Sequence, residues 1–385
     1  MRVVEIREKA VKLQSKLRNA AFSFDEMTTS LVAVVTDVVR AGKPIIGYAF
    51  NSTGRYACGA QMRDRLIPRL MREERLTLDP AAFDPDLWLS AMMFGEKPGG
   101  DMERSVAIGT IEHALWDAVG KIADKPVYQL IADRYRGGKV QEKVFCYVGG
   151  GWYAPGKTIQ DLLDEVRRYL DMGYTLIKMK VGGAPLTEDL QRLEAVIGLL
   201  GDASRVAVDA NCGIPVSLRP SYAAALKPLG LRWFEEPAHP NDYQGNADFI
   251  AAYGNAVATG ENLFSLEDVR NLVRHGGMRP GTDIIQTDVP QSYGIGTAAK
   301  VLAMLEAHGW SASSVLPHGG NQMSFNQSAG FGYGMCEAYP DAFGVFSGYC
   351  DDLKVEDGYI TSGDWPGMGF ERQAELFKLF EGVTG

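Results

Sequence analysis

The sequence lacks the marks of secreted, membrane-spanning and zinc-binding proteins. Its 385 residues include only five cysteines, an odd number at wide spacings that forms neither a disulfide framework nor a zinc motif. No apolar run approaches the roughly 20 residues that cross a bilayer. Residues 1–6 are charged and strand-like, unlike a signal peptide. We therefore expect a protein of the reducing cytoplasm.

Positive charge is also in short supply. Lysine and arginine number 39 against 48 aspartates and glutamates, which gives a formal charge of −9, and no basic run is present. This balance argues against nucleic acid and anionic membranes as partners. The apolar fraction of 46% is that of an ordinary globular protein, and the length suffices for about two domains.

The second part of the chain alternates short apolar runs with amphipathic segments. The runs predict strands at 144–149, 176–181, 205–211, 231–236, 256–261, 284–289, 311–316 and 334–338. Eight strands with repeated helical connections are typical of a barrel rather than an open sheet. The connection over 317–333 is rich in glycine and lacks a helical pattern, so we expect the last units of the barrel to be irregular.

The first part of the chain has a different pattern. Strands are predicted at 3–8, 31–39 and 44–50, followed by helices from about 60 to 132. We expect an α+β capping domain over 1–135, a barrel domain over 136–352, and a segment over 353–385 that returns to the cap and ends in a helix. The loops near 20–30 and 50–56 would close over the barrel mouth, although 50–56 also suits a simple hairpin turn.

Acidic residues follow three successive predicted barrel strands. Asp209, Glu235 and Glu261 are separated by 26 residues each, about one strand–helix unit. The carboxyl ends of barrel strands meet at the mouth, where three carboxylates would repel one another unless a hard cation lay between them. The spacing predicts a Mg²⁺ site. The alternative is that these residues cap the helices that follow.

Two lysines lie on the strand before these acids. Lys178 and Lys180 are two residues apart, so both side chains point to the same face. Two buried ammonium groups lower each other's pKa, which is one way in which a lysine becomes a neutral general base. The alternative is a pair that faces solvent on a half-exposed strand.

A histidine and an aspartate end two later strands. Asp288 and His318 could pair across neighbouring strand ends, which would fix the imidazole tautomer and create a proton donor and acceptor. Glu337 ends the eighth strand and could bind a substrate carboxylate or cap a helix. The other four histidines are interpreted as structural.

Together these motifs resemble the mandelate racemase subgroup of the enolase superfamily over almost the whole chain. The resemblance rests on the lysine motif Lys178-Met-Lys180, on Glu235 in Phe-Glu-Glu-Pro, on Glu261 in Gly-Glu-Asn, and on the Asp288–His318 pair. It implies an α/β fold, a modified (β/α)7β TIM-type barrel with an α+β cap. By the same resemblance Mg²⁺ is the cofactor, Lys180 is the base with Lys178 beside it, and His318 acts from the opposite face.

The resemblance also implies a reaction. We expect a hydro-lyase that removes the proton α to a carboxylate and expels the β-hydroxyl of a small acid sugar, with conversion of D-tartrate to oxaloacetate as the expected case. Residues that could bind the substrate are Asn51, Arg55, Lys97 and Tyr153 in loops, and Glu337 at the end of the eighth strand. Alternatives are the dehydration of another aldonate or aldarate, a racemase or epimerase of a 2-hydroxy acid, and a non-catalytic acid-sugar-binding protein. The small-molecule substrate is the expected partner, and the family tendency predicts a homo-oligomer, a dimer or an octamer.

Overall fold

The chain begins with a small antiparallel sheet. The computed structural model describes residues 1–13, 15–340 and 342–384. Strands β1 (Val3–Lys12), β2 (Thr28–Arg40) and β3 (Lys43–Phe50) pair in that order. They contain the three predicted segments and extend beyond each of them. The central strand β2 carries a run of buried residues from Thr29 to Val34, since it is covered by the elements that follow.

Helices pack against this sheet. Three short helical segments follow one another directly, and longer helices come after them: Gly59–Gln61, Met62–Leu66 (a π-helical turn), Ile67–Leu70, Pro85–Met92, Glu103–Ala123 and Val127–Tyr135. The helix Glu103–Ala123 is buried over most of its length. It lies so close to β3 that a β-carbon on Gly47 would come within 2.1 Å of the Ala114 carbonyl oxygen. Glycine is therefore needed at that crossing.

Eight parallel strands form the second part of the molecule, a nearly closed barrel. In chain order they are β4 (Lys143–Gly150), β5 (Ile177–Lys180), β6 (Val206–Asp209), β7 (Phe234–Glu235), β8 (Val257–Thr259), β9 (Ile284–Thr287), β10 (Val315–Pro317) and β11 (Cys336–Ala338). Each of β4 to β9 pairs with the next, and β11 pairs with β4, so the gap in the barrel lies between β10 and β11. Strand β12 (Tyr359–Thr361) joins the outside of β4 in antiparallel fashion. The predicted barrel fold is confirmed, and every predicted barrel strand overlaps an observed one.

Helices cover the barrel as its alternating pattern predicts. They are Ile159–Asp171, Leu186–Leu200, Arg219–Leu226, Tyr243–Tyr253, Leu266–His275, Ile295–Ala307 and Gln322–Phe331. Single-turn 3₁₀ segments lie at Ala203–Arg205, Val216–Leu218, Lys227–Leu229, Val289–Gln291, Ala312–Ser314, Gly344–Phe346 and Phe370–Arg372. Three of the helices begin with reciprocal capping boxes, at Thr158, Ser265 and Asn321.

The expectation of an irregular connection over 317–333 is wrong, because a regular helix, Gln322–Phe331, occupies most of it. Asn321 caps this helix by accepting from the backbone amides of Met323 and Ser324. All ten of its residues are buried, so its sequence lacks the polar face by which a surface helix is recognised. The glycines that suggested irregularity form the turn before it, where Gly319 and Gly320 have φ of +112° and +58°.

The last segment returns to the first sheet. The C-terminal helix Ala374–Thr384 packs against β2 and β1, and Phe380 stacks on Tyr48 with ring centroids 5.0 Å apart. The limits of the three predicted domains stay a prediction. Within the described residues, every helix is too short or too polar to cross a bilayer.

Candidate active site

A narrow cavity of about 50 Å³ lies where the first sheet and its loops meet the barrel mouth. Its apolar walls are the rings of Phe22, Phe24, Trp152, Tyr339 and Phe343. Lys180, Glu261 and His318 reach into it from the barrel, and Arg55 from the 50–56 loop. A larger cavity of about 750 Å³ lies between β3 and the C-terminal helix, but it contains none of the predicted site residues. The smaller cavity, which contains predicted acid and base residues, is therefore the candidate active site.

Two predicted metal ligands are paired with the two lysines. Asp209 and Glu235 lie opposite each other in the β6–β7 register. Lys180 Nζ is 2.5 Å from Asp209 Oδ2, and Lys178 Nζ is 2.5 Å from Glu235 Oε1 and 3.5 Å from Asp209 Oδ2. All four side chains are buried, so the alternative of a solvent-facing lysine pair does not hold.

The ion pairs change the electrostatics that the sequence predicts. Burial alone lowers the pKa of Lys178, but the carboxylates of Glu235 and Glu337 outweigh burial and raise that pKa well above its ordinary value. The expectation of a lowered pKa is thus wrong for Lys178 in this arrangement. Burial acts against ionisation of Asp209 as well, yet the two neighbouring ammonium groups hold the pKa of this carboxyl below its ordinary value.

The acids do not gather around one point. Within residues 1–13, 15–340 and 342–384, no three acidic, histidine or cysteine side chains are grouped closely enough to hold a metal ion. The lysine ammonium groups supply the positive charge between the acids instead. The donor set nevertheless fits a hard divalent cation, since it consists of buried carboxylate oxygens. Glu261 Oε2 is buried without any hydrogen-bond partner, so it is available as a ligand.

The predicted histidine–aspartate pair is present. His318 Nδ1 lies 2.7 Å from Asp288 Oδ2, so this nitrogen donates to the carboxylate, and Nε2 lies 3.6 Å from Glu261 Oε1. Burial acts against the imidazolium, but the charge of Glu261 and the hydrogen bond to Asp288 raise the pKa of His318 to about 10. The imidazole is therefore charged at neutral pH in this arrangement and can act as an acid.

The residues predicted to bind substrate lie in different surroundings. Of the five, all within the described structure, only Arg55 lines the cavity. Asn51 braces its own loop by accepting from the Ser30 amide and donating to the Arg55 carbonyl. Glu337 Oε1 is 2.5 Å from Lys178 Nζ. Tyr153 donates to Asp189 outside the cavity, and Lys97 is exposed.

Several cavity residues were missed by sequence reasoning. Glu236 is buried with φ of +46° and accepts from Asn262 Nδ2 at 2.6 Å, and Asn262 Oδ1 in turn accepts from Arg55. Burial and the nearby Glu261 and Asp209 raise the pKa of Glu236 to about 8. Glu236 and Asn262 directly follow the predicted ligands Glu235 and Glu261, and this position in the sequence could have identified them as cavity residues. Trp152, whose ring lies 4.4 Å from Lys180 Nζ, had no local signal.

Residues 161–376, more than half of the chain, match the family described as Enolase C-terminal domain-like. The chain is 34% identical over 276 residues to the 3,6-anhydro-alpha-L-galactonate cycloisomerase of Streptomyces coelicolor, a match that covers 70% of this chain and 72% of the relative. It is 25% identical over 360 residues to the arabinonate dehydratase of Saccharolobus solfataricus, with 90% of each protein covered.

A solved structure agrees with the arrangement of both parts of the molecule. The crystal structure of a racemase from Streptomyces coelicolor A3(2) with bound magnesium superimposes with a TM-score of 0.78 and 27% sequence identity, over 97% of this chain and 98% of that one. The family match, the relative at 34% identity and the shared fold lead to one conclusion. This chain belongs to the enolase superfamily, as a member of the enolase C-terminal domain-like family.

Proposed function

We propose that this protein is a Mg²⁺-dependent dehydratase of a small acid sugar. The observation that carries the proposal is the placement of two proton-transferring groups, Lys180 and His318, in one cavity beside buried carboxylates. They come from β5 and from the end of β10, and β6 to β9 lie between those strands, so the two groups approach from different sides of the mouth. The arabinonate dehydratase and the magnesium-bound racemase structure support the reaction class and the metal.

The predicted ligands of the cation are Asp209, Glu235 and Glu261. When bound there, Mg²⁺ supplies electrostatic stabilisation of the negative charge that develops at the substrate carboxylate as the α-proton leaves. Trp233 Nε1 donates to Glu235 Oε2 at 2.9 Å and holds that carboxylate in place. Lys178 balances the charge of Glu235 and Glu337 beneath the cavity.

In this proposal the proton transfers belong to Lys180 and His318. Lys180, in its neutral form, takes the proton from the carbon next to the substrate carboxylate. His318, protonated and held by Asp288, gives a proton to the departing β-hydroxyl, which leaves as water. The enol product then becomes a 2-keto acid. The aromatic walls keep bulk water from the reacting carbon.

D-tartrate is the substrate that we propose, with oxaloacetate as product. A short diacid needs a second anion-binding group away from the metal. Arg55 lines the cavity from the loop and would bind the second carboxylate, because a guanidinium matches carboxylate geometry. Asn51, Lys97, Tyr153 and Glu337 stay predictions as substrate-binding residues, as do the cytoplasmic location and the homo-oligomer.

The test is an incubation of the purified protein with Mg²⁺ and, separately, D-, L- and meso-tartrate, with malate dehydrogenase and NADH to report oxaloacetate. We expect NADH oxidation with the D isomer and none after EDTA is added. Arabinonate and galactarate, scored for 2-keto acid with semicarbazide, complete the panel. A 2-keto acid from one of these two alone would replace tartrate and keep the reaction class.

The same two groups also suit a racemase or epimerase, since proton removal on one side and return from the other inverts a carbon. Product analysis separates the two functions. Deuterium uptake with a change of chirality and no loss of water would replace dehydration by epimerisation. Ligand binding without any α-hydrogen exchange would indicate a non-catalytic binding protein.

A further inference from the structure

Ser52 connects the 50–56 loop to the histidine–aspartate pair. This side chain is fully buried, and its Oγ donates to Asp288 Oδ2 at 3.0 Å. The same carboxylate oxygen accepts from His318 Nδ1 at 2.7 Å. Residue 52 follows β3 in the first part of the chain, 236 positions before Asp288, so the contact joins two separate parts of the fold.

The surrounding contacts fix the direction of this hydrogen bond. Asn321 Nδ2 donates to Ser52 Oγ at 3.4 Å, so the serine proton is free to point to Asp288. The backbone amide of Gln291 donates to the other oxygen, Asp288 Oδ1, at 3.3 Å. An ionised carboxylate only accepts hydrogen bonds, and here each oxygen has a defined donor. Removing Ser52 Oγ would leave His318, among the described residues, as the single side-chain donor that sets the rotation of this carboxylate.

The backbone at Ser52, where this hydrogen bond forms, is strained. Its φ is +59°, a left-handed conformation that serine rarely adopts. Such strain persists where neighbours enforce it, and Gln291 does so by donating through Nε2 to the carbonyls of Asn51 and Thr53. Thr53 Oγ1 is itself buried without a partner at the cavity wall. The loop thus presents the Ser52 hydroxyl to the histidine–aspartate pair, and its next residue, Thr53, lines the cavity.

We propose that Ser52 is a positioning residue for the elimination step: it holds Asp288 in the orientation that aims His318 Nε2 at the cavity. This inference rests on the proposed function, because that function assigns the acid role to His318. Among the described residues, the hydrogen-bond partners of Ser52 Oγ are Asp288 and Asn321 rather than Lys180 or a predicted metal ligand. Its loss therefore impairs the step on the His318 side and spares proton removal on the Lys180 side.

The test compares Ser52→Ala and Ser52→Gly with the wild type, with Ser292→Ala as the matched control. Ser292 is a buried serine near Asp288 in sequence whose hydroxyl has no partner, so its removal deletes a buried hydroxyl without touching the pair. We expect kcat for 2-keto acid formation to fall about 10–100-fold in both Ser52 variants. This is the usual range for a group that hydrogen-bonds and orients a functional side chain without touching the substrate. KM stays within about twofold, and exchange of the substrate α-hydrogen with D₂O continues.

The two Ser52 variants separate the hydroxyl from the backbone. Glycine relieves the left-handed strain and alanine does not, so a defect of equal size in both points to the hydroxyl. A wild-type kcat in Ser52→Gly, or an equal fall of exchange and elimination in Ser52→Ala, would overturn the proposal. A Ser292→Ala defect of the same size would do so as well.

A spectroscopic readout keeps the inference apart from the proposed function. The Nδ1 proton of His318, in its hydrogen bond to Asp288, should give a downfield proton resonance that is identified by its absence in His318→Asn. We expect this resonance to shift or broaden in Ser52→Ala and to stay in place in Ser292→Ala. If the wild type dehydrates no acid sugar but the resonance responds in this way, the proposed function fails and the positioning role stands. An unchanged resonance in Ser52→Ala refutes the positioning role whatever the reaction.

Discussion

Two sets of buried acids differ in how completely their oxygens are bonded. One set, Asp209, Glu235 and Glu261, lies at the barrel mouth, and the other, Glu112 and Asp117, lies on the helix Glu103–Ala123. In the second set every oxygen has a backbone or side-chain donor. In the first set Glu261 Oε2 has none among the described residues, and Lys178 lies between Asp209 and Glu235.

The helix acids bind separate parts of the fold together. Glu112 accepts from the amides of Ile295 and Gly296 at 2.9 and 3.0 Å, and also from Trp116 Nε1. These amides are the free donors at the start of a barrel helix, so a side chain of the first part of the chain caps a helix of the second. Asp117 likewise joins the amides of Tyr48 and Met368 and pairs with Lys121 Nζ at 2.7 Å.

This difference separates a structural acid from a functional one. A buried carboxylate that accepts from backbone amides of distant elements holds those elements together, and its removal leaves several donors unpaired. A buried carboxylate with an unpartnered oxygen is costly to the free protein and is retained where a ligand completes it. Both sets are acidic and buried, so burial alone does not identify the site, whereas the unpartnered oxygen of Glu261 does.

The largest effect is expected at the mouth. Lys180→Ala should lower exchange of the substrate α-hydrogen with solvent deuterium by about 10²–10⁴-fold, the usual contribution of a positioned general base. Proton NMR in D₂O measures the exchange, and Lys180→Arg is the control that keeps the positive charge beside Asp209. Exchange that persists in the alanine variant would remove Lys180 from the role of base.

On the helix the effect should fall on stability instead. Asp117→Ala breaks a buried ion pair and leaves two amides without an acceptor, which should cost about 3–5 kcal/mol of unfolding free energy in urea. Asp133→Ala is the control, because its pair with Lys125 is exposed and worth at most about 1 kcal/mol. The kcat of the folded fraction should not change in either variant. An Asp117→Ala protein of wild-type stability would contradict the structural role of this acid.

The sequence alone was enough to predict which residues meet at the barrel mouth, because short-range patterns place them there. A residue at the end of a barrel strand reaches the mouth, and the two-residue period of a strand puts Lys178 and Lys180 on one face. Equal spacing then brought Asp209 and Glu235 to neighbouring strands, where the register places them opposite each other.

The remainder depends on contacts between distant parts of the chain. Glu112 meets its amide partners 183 and 184 residues away, and Asp117 meets one at a distance of 251. No local sequence pattern predicts such a long-range pairing. Within an apolar helix, neither Glu112 nor Asp117 stands out as a residue that joins distant elements. The helix Gln322–Phe331 was missed for a related reason, because burial on all sides removes the amphipathic period.

A smaller effect is expected on the thermal stability of the metal-free protein, which the buried carboxylate of Glu261 lowers. Burial is the main cause that raises the pKa of Glu261, and nearby acids add to it. The ionised carboxylate therefore destabilises the metal-free protein at pH 7, whereas a neutral glutamine at this position does not. Glu261→Gln should therefore raise the metal-free Tm by about 1–3 °C. The wild type should gain Tm when Mg²⁺ is added, by mass action, and the variant should gain little.

Differential scanning fluorimetry with Mg²⁺ and with EDTA measures both parts of this prediction. Glu267→Gln, an exposed acid in a surface pair with Arg270, is the control that changes the net charge equally. A Mg²⁺-dependent rise of Tm in Glu261→Gln as large as in the wild type would exclude Glu261 as a ligand. A lower metal-free Tm would mean that its contact with His318 outweighs the repulsion among the acids.

The smallest effect concerns the protonation of Glu112, where two influences oppose each other. Burial raises the pKa of this carboxyl from 4.5 to about 7, although its three N–H donors favour the ionised form. Between pH 4.5 and 7 the folded protein then holds a proton that the unfolded chain has lost, so stability falls as pH rises through this window. Glu112→Gln, which cannot titrate, should lack that part of the dependence.

The measurement is the unfolding free energy of the wild type and of Glu112→Gln at pH 5 and pH 7.5. The wild type should lose about 1–3 kcal/mol more than the variant over this interval, because one unit of pKa shift corresponds to about 1.4 kcal/mol. The comparison of differences removes every other titrating group and any constant cost of the glutamine. Equal losses in the two proteins would show that the three donors keep Glu112 ionised throughout. Full hydrogen bonding would then be sufficient to hold a buried negative charge on the helix, and only the mouth acids would need a cation.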